Sequence, residues 1–592
     1  MRTLLLWLLA ALLPFGVRAQ SGVGINLDQP TYWSTDWMYI DQFKRAEPWF
    51  TQCDERMPTC RDFAKDGGSW NTLEQSKLEL DENGWVKRLP AAEDRKLKYR
   101  FVAAVVRSGG THATGPYVVL YDGQGQLEYD GSVRKVDAKS KPGRDVVEVS
   151  KPDDFIVRIR RTVEGNHIRN IRVIPPGGVC ADAPTVYVAD ARACKSPAAF
   201  KGLEQLYTTQ TFHPAFLADM RGFRSLRFMK MSGAIASQLV RWDQRPRLTE
   251  AMWSSGNGIP FEAMFEMANS VGADPWIALP PPADDDFVRQ FARLARQSMK
   301  PGSNLILEYG NEPWNSAPPY NEAGNLYEKN AKAKWPGASR PAWEQRLNWY
   351  AYRSVQVCRI AKKEFGAEAS RVKCVVNSQA ANADVAEVML ECKLAKDELG
   401  GACSRSLDAL AIAPYFGHYI GDWAYLNTVD AWPDLPDHGV GKVFEEIFAR
   451  DAQGKPVTPP LWTPKSGTPR EGALEQAKWW VAANKKVADR HGLPLYAYEG
   501  GQHLTVYRNK KTDAMFVAAN RDPRMGLAFK RQLDDWKAGG GQLYVAFSYV
   551  GRPGSGNYWG LKEVQTDQES PKWQAYKAWR DAPCWWKGCA RP

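Results

Sequence analysis

From about residue 212 onward, short apolar runs alternate with stretches whose apolar residues recur at helical spacing. The runs are Ser225 to Met229, Pro275 to Pro280, Asn304 to Tyr309, Val372 to Val376, Leu407 to Ile412, Pro494 to Tyr498 and Leu543 to Phe547. Between them Phe261 to Ser270, Phe287 to Ser298, Glu344 to Phe365, Glu475 to His491 and Met525 to Lys537 read as helices. One more strand-like run, Gly22 to Leu27, stands near the start, and Trp37 to Phe50 follows it with helical spacing. That makes eight strands in a strand–helix rhythm, so the fold class is α/β and the architecture expected is a (β/α)8 TIM-type barrel. A doubly wound open sheet competes, but the glycine-rich dinucleotide loop that would follow its first strand is missing. Asp284-Asp285-Asp286, just ahead of a helix, reads as a capping cluster favoured by the helix dipole and not as a cation site.

Residues 98–178 differ in character. Tyr99 to Val106, Tyr117 to Tyr121, Val146 to Val149 and Phe155 to Ile159 are short strand-like runs separated by turn signals such as Ser108-Gly109-Gly110. They predict an all-β sandwich inserted between the first and second barrel strands. Residues 20–97 then hold the first strand, a helix and a lead-in loop, and 179–592 the rest of the barrel with a C-terminal extension.

The start of the chain reads as a signal peptide over residues 1–19: Arg2, an apolar run from Leu4 to Leu13, and a small-x-small site at Val17-Arg18-Ala19. That run is too short to span a bilayer, and no later stretch is apolar enough to do so, so an exported protein without a transmembrane anchor is expected, periplasmic or secreted. The ten cysteines suit an oxidising compartment. They form sequence-local pairs, Cys53 with Cys60, Cys180 with Cys194, Cys392 with Cys403 and Cys584 with Cys589, leaving Cys358 and Cys374 either to pair or to stay reduced.

Net charge is +11, but Lys and Arg are scattered and no block of like charges exists, so nucleic acid is not the expected partner. With only seven histidines and neither C-x-x-C nor H-E-x-x-H, metal chemistry is disfavoured. No phosphate-binding G-x-x-x-x-G-K-[ST] and no G-x-S-x-G occur, which disfavours nucleotide hydrolysis and serine esterase chemistry. No cofactor is expected, and the chain is expected to act as a monomer. The 24 tryptophans exceed what packing alone asks for and suit stacking on flat apolar ligand faces.

In a barrel, catalytic side chains project from the C-terminal ends of strands. Two such ends carry glutamates: the fourth runs into Gly310-Asn311-Glu312-Pro313-Trp314, the seventh into Tyr498-Glu499-Gly500-Gly501. Two carboxyl groups facing each other across one mouth are what glycoside hydrolysis needs.

Asn311-Glu312-Pro313 after the fourth strand, with Glu499 after the seventh, resembles the clan A glycoside hydrolases, retaining (β/α)8 enzymes. The resemblance covers roughly residues 20–50 and 205–580. It implies that Glu312 is the general acid/base, Glu499 the nucleophile, and Asn311 a ligand of the sugar 2-hydroxyl. It also implies an arginine at the end of the second strand that holds the nucleophile, here Arg227, with a plain ion pair as the alternative. Near the sixth strand it implies an aromatic or histidine close to the nucleophile, for which Tyr415 and then His418 are candidates. The tryptophan the clan carries after its eighth strand is missing; Tyr549 sits there and Trp559 follows after a loop. Trp314 is a further candidate for stacking on the sugar. The function expected is a secreted glycoside hydrolase that cleaves a β-linked polysaccharide in an endo fashion by a retaining double displacement. The alternative is a non-catalytic carbohydrate-binding or adhesion protein, since exported bacterial proteins labelled only as cellulose-binding are also similar.

Overall fold

In the computed structural model of the chain, residues 21–54, 60, 70–91, 93–94, 96–235, 237–506, 509–554 and 557–589 are described. The expected signal peptide lies outside them. Eight parallel strands close into a barrel: Val23–Asn26, Ser225–Arg227, Asp274–Leu279, Leu305–Tyr309, Val372–Ser378, Ala409–Ile412, Leu495–Ala497 and Tyr544–Ala546. Each pairs with the next, and the first also pairs with the eighth (Ile25 opposite Ala546), so no edge is left. All eight strands fall where the apolar runs predict them.

Strand periodicity sorts each side chain to one of two layers. In the fourth strand Leu305, Leu307 and Tyr309 face the surrounding helices. Ile306 points inward, with Trp276, Val375, Ala409, Ala411, Tyr498 and Val545, into the plug that fills the barrel. Glu308 takes the next inward position. The helices expected over 261–270, 287–298, 344–365, 475–491 and 525–537 are present as Phe261–Val271, Asp285–Ser298, Ala342–Phe365, Ala473–Arg490 and Pro523–Ala538. Asp284 caps the second of these by accepting the Phe287 N–H at 2.7 Å, as the acidic cluster suggests.

Trp37 to Phe50 is not a helix. Only Gln42–Arg45 forms a 3-10 turn, and Phe50–Gln52 is a strand. Pro48 disfavours helical backbone at Glu47. The apolar residues that mimic helical spacing serve different cores, Met38 and Tyr39 that of the barrel and Phe43 and Trp49 that of the sandwich, while the buried Arg45 guanidinium donates to the backbone oxygens of Thr31, Ser34 and Asp36 and to the Asp36 carboxylate.

Two antiparallel four-stranded sheets lie between the first and second barrel strands in the chain. One runs Phe50–Gln52, Phe101–Arg107, Phe155–Thr162, Gly125–Gly131; the other Val133–Lys135, Arg144–Val149, Gly115–Asp122, Arg169–Ile174. Val102, Ala104, Val157 and Ile159 of the first share one core with Tyr117, Val119, Val147 and Val173 of the second, the packing of a β-sandwich. The unbroken apolar run at 101–106 follows from burial on both faces: Ala103 and Val105 pack on the other side with Phe50 and Ile156. A three-stranded sheet (Gly178–Cys180, Ala183–Val188, Phe200–Gly202) leads back to the barrel.

The four sequence-local cysteine pairs are disulfides, and Cys358–Cys374 forms a fifth, tying the helix Ala342–Phe365 to the fifth barrel strand. Among the described residues no helix is long and apolar enough to cross a membrane.

Candidate active site

The C-terminal end of the barrel holds a polar cluster built around Arg227. Its side chain points inward from the last residue of the second strand and is fully buried. The guanidinium donates to Asn26 Oδ1 at 3.1 Å, to both oxygens of Glu308 at 3.0–3.1 Å, to Asn311 Oδ1 at 2.8 Å and to Glu499 Oε1 at 2.8 Å. It also lies 5.0 Å from the centre of the Tyr498 ring and 5.6 Å from that of Trp276. One cation thus ties together the first, second, fourth and seventh strand ends.

Glu308 is as deeply buried, and every neighbour it bonds is a donor: Arg227, Trp276 Nε1 at 2.8 Å and the Asn377 amide. A protonated carboxyl there would have no acceptor, so Glu308 is carried as a carboxylate although burial pushes its pKa up. Burial likewise opposes the charge on Arg227, and Glu308 and Glu499 together more than offset it.

The two glutamates singled out in the sequence are set apart by what bonds them. Glu499 receives Arg227 on Oε1 and the Tyr415 hydroxyl on Oε2 at 3.0 Å. Glu312 receives neutral donors only, the Tyr498 hydroxyl on Oε1 at 3.0 Å and Asn315 Nδ2 on Oε2 at 2.8 Å. Burial raises the pKa of both; Glu499 is pushed up to about 7, with the Glu312 charge adding to the rise and Arg227 and Tyr415 opposing it. The cation favours charge on Glu499, whereas a proton on Glu312 Oε1 can be given to the Tyr498 oxygen in return. Two close carboxyl groups, one beside a cation and one not, can hold one proton between them with a fixed preference for its place.

Backbone geometry fixes Glu312. Gly310 turns the chain at φ 64°, where a Cβ would collide with the Tyr327 hydroxyl, and Glu312 itself adopts φ 48°, a left-handed conformation uncommon for a side chain of its size. Its N–H donates to Asn377 Oδ1 at 2.8 Å, and Asn377 is in turn held by the Tyr350 hydroxyl.

Three donors are without a partner among the described residues: Nδ2 of Asn311, whose Oδ1 takes Arg227, Nε1 of Trp314, two residues after Glu312, and Nε1 of Trp559. Trp559 lies tilted against His503 (5.4 Å between ring centres), which meets Tyr415 edge-on (5.1 Å), so two rings connect it to the residue that bonds Glu499. His418 lies one ring further out, 6.4 Å from His503 and 5.4 Å from Trp480, and touches neither glutamate. Tyr549 departs from expectation. It is buried, packs on Phe216 and Trp573, and donates to Asp219 Oδ2 at 2.6 Å, away from both glutamates, because Asp219 and Lys562 form a buried ion pair that takes up its hydroxyl. Exposed indoles stand on the loops leaving the first and sixth strands, Trp33 at 59% and Trp423 at 73% exposure.

The sequence reading passes over Asn26, Glu308, Asn377 and Tyr498. The available signal was a polar residue at an inward position of a buried strand, which Asn26, Glu308 and Asn377 all are.

No protein-family profile and no curated protein matches the chain. Among solved structures it is similar to a GH51 arabinofuranosidase from Xanthomonas axonopodis pv. citri, at 13% identity and TM-score 0.27 over 58% of this chain and 60% of that one. A Bacteroides uniformis β-glucuronidase aligns at 10% identity and TM-score 0.32 over 86% of this chain and 51% of its own. A Bacteroides ovatus GH5 xyloglucanase aligns at 9% identity and TM-score 0.30 over 81% and 96%. The chain therefore spans about half to three fifths of the length of the first two.

Proposed function

We propose that the protein is an exported retaining glycoside hydrolase acting on a β-linked polysaccharide, with Glu312 as general acid/base and Glu499 as nucleophile. The observation that carries this reading is the unequal bonding of the two carboxyl groups: Glu499 is held by Arg227 and Tyr415, Glu312 by neutral donors only. In the first step Glu499 attacks the anomeric carbon while Glu312 gives its proton to the departing glycosidic oxygen. In the second, Glu312 takes a proton from water, whose oxygen displaces Glu499 from that carbon. Retention requires the carboxyl groups about 5–5.5 Å apart. The unpartnered Asn311 amide suits the sugar 2-hydroxyl, and Trp314, Trp559, Trp33 and Trp423 suit a glycan lying across the mouth, which supports endo action. Five disulfides support export.

The exposed indoles also favour the second reading, a carbohydrate-binding protein without hydrolysis. A polysaccharide panel with reducing-end detection separates the two. Cleavage by the native protein, lost in both Glu312→Gln and Glu499→Gln, supports the enzyme. Binding without cleavage supports the lectin-like reading, and cleavage that survives Glu312→Gln refutes the assignment. Product anomers followed by NMR test retention.

A further inference from the structure

A second buried cluster of charge lies far from the glutamates in the chain, where the inserted sandwich meets the barrel. Arg107 ends the sandwich strand Phe101–Arg107 and is fully buried. Its Nη1 donates to the Asp36 backbone oxygen and to Gln42 Oε1, both at 3.0 Å, and its Nη2 to Thr111 Oγ1 at 3.1 Å. Its Nε–H has no partner among the described residues. All of these acceptors are neutral. The nearby carboxylate, Asp36, gives Oδ1 to Arg45 at 2.9 Å and offers Arg107 only its peptide oxygen. Two buried guanidiniums therefore share one carboxylate, and among the described residues Arg107 has no counter-charge in contact. A buried, uncompensated ion of this kind is costly.

Arg107 lines a small cavity with His112, Trp37, Tyr117, Tyr187 and His213. His112 is 7% exposed, and neither of its ring nitrogens has a partner among the described residues. His213 Nδ1 accepts the Ala215 N–H, the Tyr117 hydroxyl donates to Ala113 O, and the Tyr187 hydroxyl donates to Pro176 O, so these groups are occupied. Burial and the Arg107 charge hold both histidines far below the ordinary range, His112 at about 4 and His213 at about 3, so neither adds or removes charge near neutral pH. The cavity has a volume of about 10 Å³, room for a single small occupant.

We propose that this cavity is a site for one halide ion, chloride in ordinary media, held by Arg107 Nε–H and a ring N–H of His112. A cavity this small leaves no room for a sugar ring. The excess positive charge and the donor-only Arg107 Nε–H favour an anion over a water molecule. A bound halide would neutralise Arg107 and join segments from both sides of the junction: Trp37 after the first barrel strand, Arg107 and His112 of the sandwich, and His213 before the second strand.

The test uses the full exported chain. Thermal unfolding is followed in sodium chloride and in sodium gluconate at equal ionic strength, and crystals soaked in sodium bromide are searched for anomalous scattering. The expected result is a saturable rise in Tm specific to chloride and a bromide peak beside Arg107 Nε and His112. In Arg107→Gln half-saturation should move up about tenfold or more, the loss of one hydrogen bond from a charged group. A native protein indifferent to halide, with no bromide peak in the cavity, overturns the proposal and leaves the cavity to water. An undiminished chloride effect in a folded Arg107→Gln overturns it too. If that variant does not fold, His112→Asn and the bromide map of the native protein decide.

Discussion

Replacing Glu499 by glutamine should abolish hydrolysis and, above neutral pH, make the fold more stable. Burial raises this carboxyl from 4.5 to about 7. A carboxyl whose folded pKa lies above its unfolded value costs no stability below the unfolded pKa. The cost grows as pH rises and is complete above the folded pKa. At about 1.36 kcal/mol per tenfold change in proton affinity this comes to roughly 3 kcal/mol at pH 8, where the Glu312 charge adds to the rise, and to less at lower pH, where a proton on Glu312 removes that repulsion. Glutamine removes the charge and keeps the geometry. Its Oε1 still accepts from Arg227, and its amide can donate to the Tyr415 oxygen, which turns from donor to acceptor. Glu308 continues to pair with Arg227, so the cation is not stranded. Denaturant unfolding of both proteins from pH 4 to pH 8 measures the difference. The two curves should converge near pH 4 and separate by several kcal/mol at pH 8. A glutamine variant equal to or weaker than the native protein at pH 8 would refute the view that burial dominates the energetics of Glu499.

Tyr415→Phe should lower kcat/KM by about 10- to 150-fold, since it removes one hydrogen bond to a charged group worth roughly 1.5–3 kcal/mol, and should move the acid limb of the pH–rate profile upward because Glu499 loses a donor to its ionised form. Asp219→Ala should cost about 3–5 kcal/mol in denaturant unfolding, because it leaves the fully buried Lys562 ammonium without its carboxylate and the Tyr549 hydroxyl without its acceptor. Replacing Cys358 and Cys374 together by alanine opens a loop of 16 residues and should lower stability by roughly 3 kcal/mol, read as a fall in Tm with activity at 25 °C retained.

Much of the barrel is legible because its strands are wholly buried and therefore read as unbroken apolar runs. Helices such as Asn321–Lys334 and Lys510–Arg521 escape notice for the opposite reason: they bury few large apolar residues, among them Tyr327 in the first and Met515 and Phe516 in the second. The two glutamates stand out because each follows a strand directly and sits among glycines, prolines and asparagines. Glu308 does not, since a charge inside a strand reads as a solvent-facing position until Arg227, 81 residues earlier, is known to face it. Tyr549 misleads through position alone. It follows the eighth strand closely, but the fate of its hydroxyl depends on Asp219, 330 residues away.

The first barrel strand has neighbours that are remote in the chain on both sides. Val23–Asn26 pairs with Ser225–Arg227 and with Tyr544–Ala546, and the Tyr576 hydroxyl reaches the oxygens of Gly24 and Tyr544 while accepting the Ala546 N–H. During synthesis this strand leaves the ribosome before the other seven and waits through the whole sandwich for one partner and through all the remaining barrel strands for the other. Local sheets can form on the way, but the ring shuts only when the tail arrives, so a truncated or stalled product carries an unsealed seam with bare backbone groups.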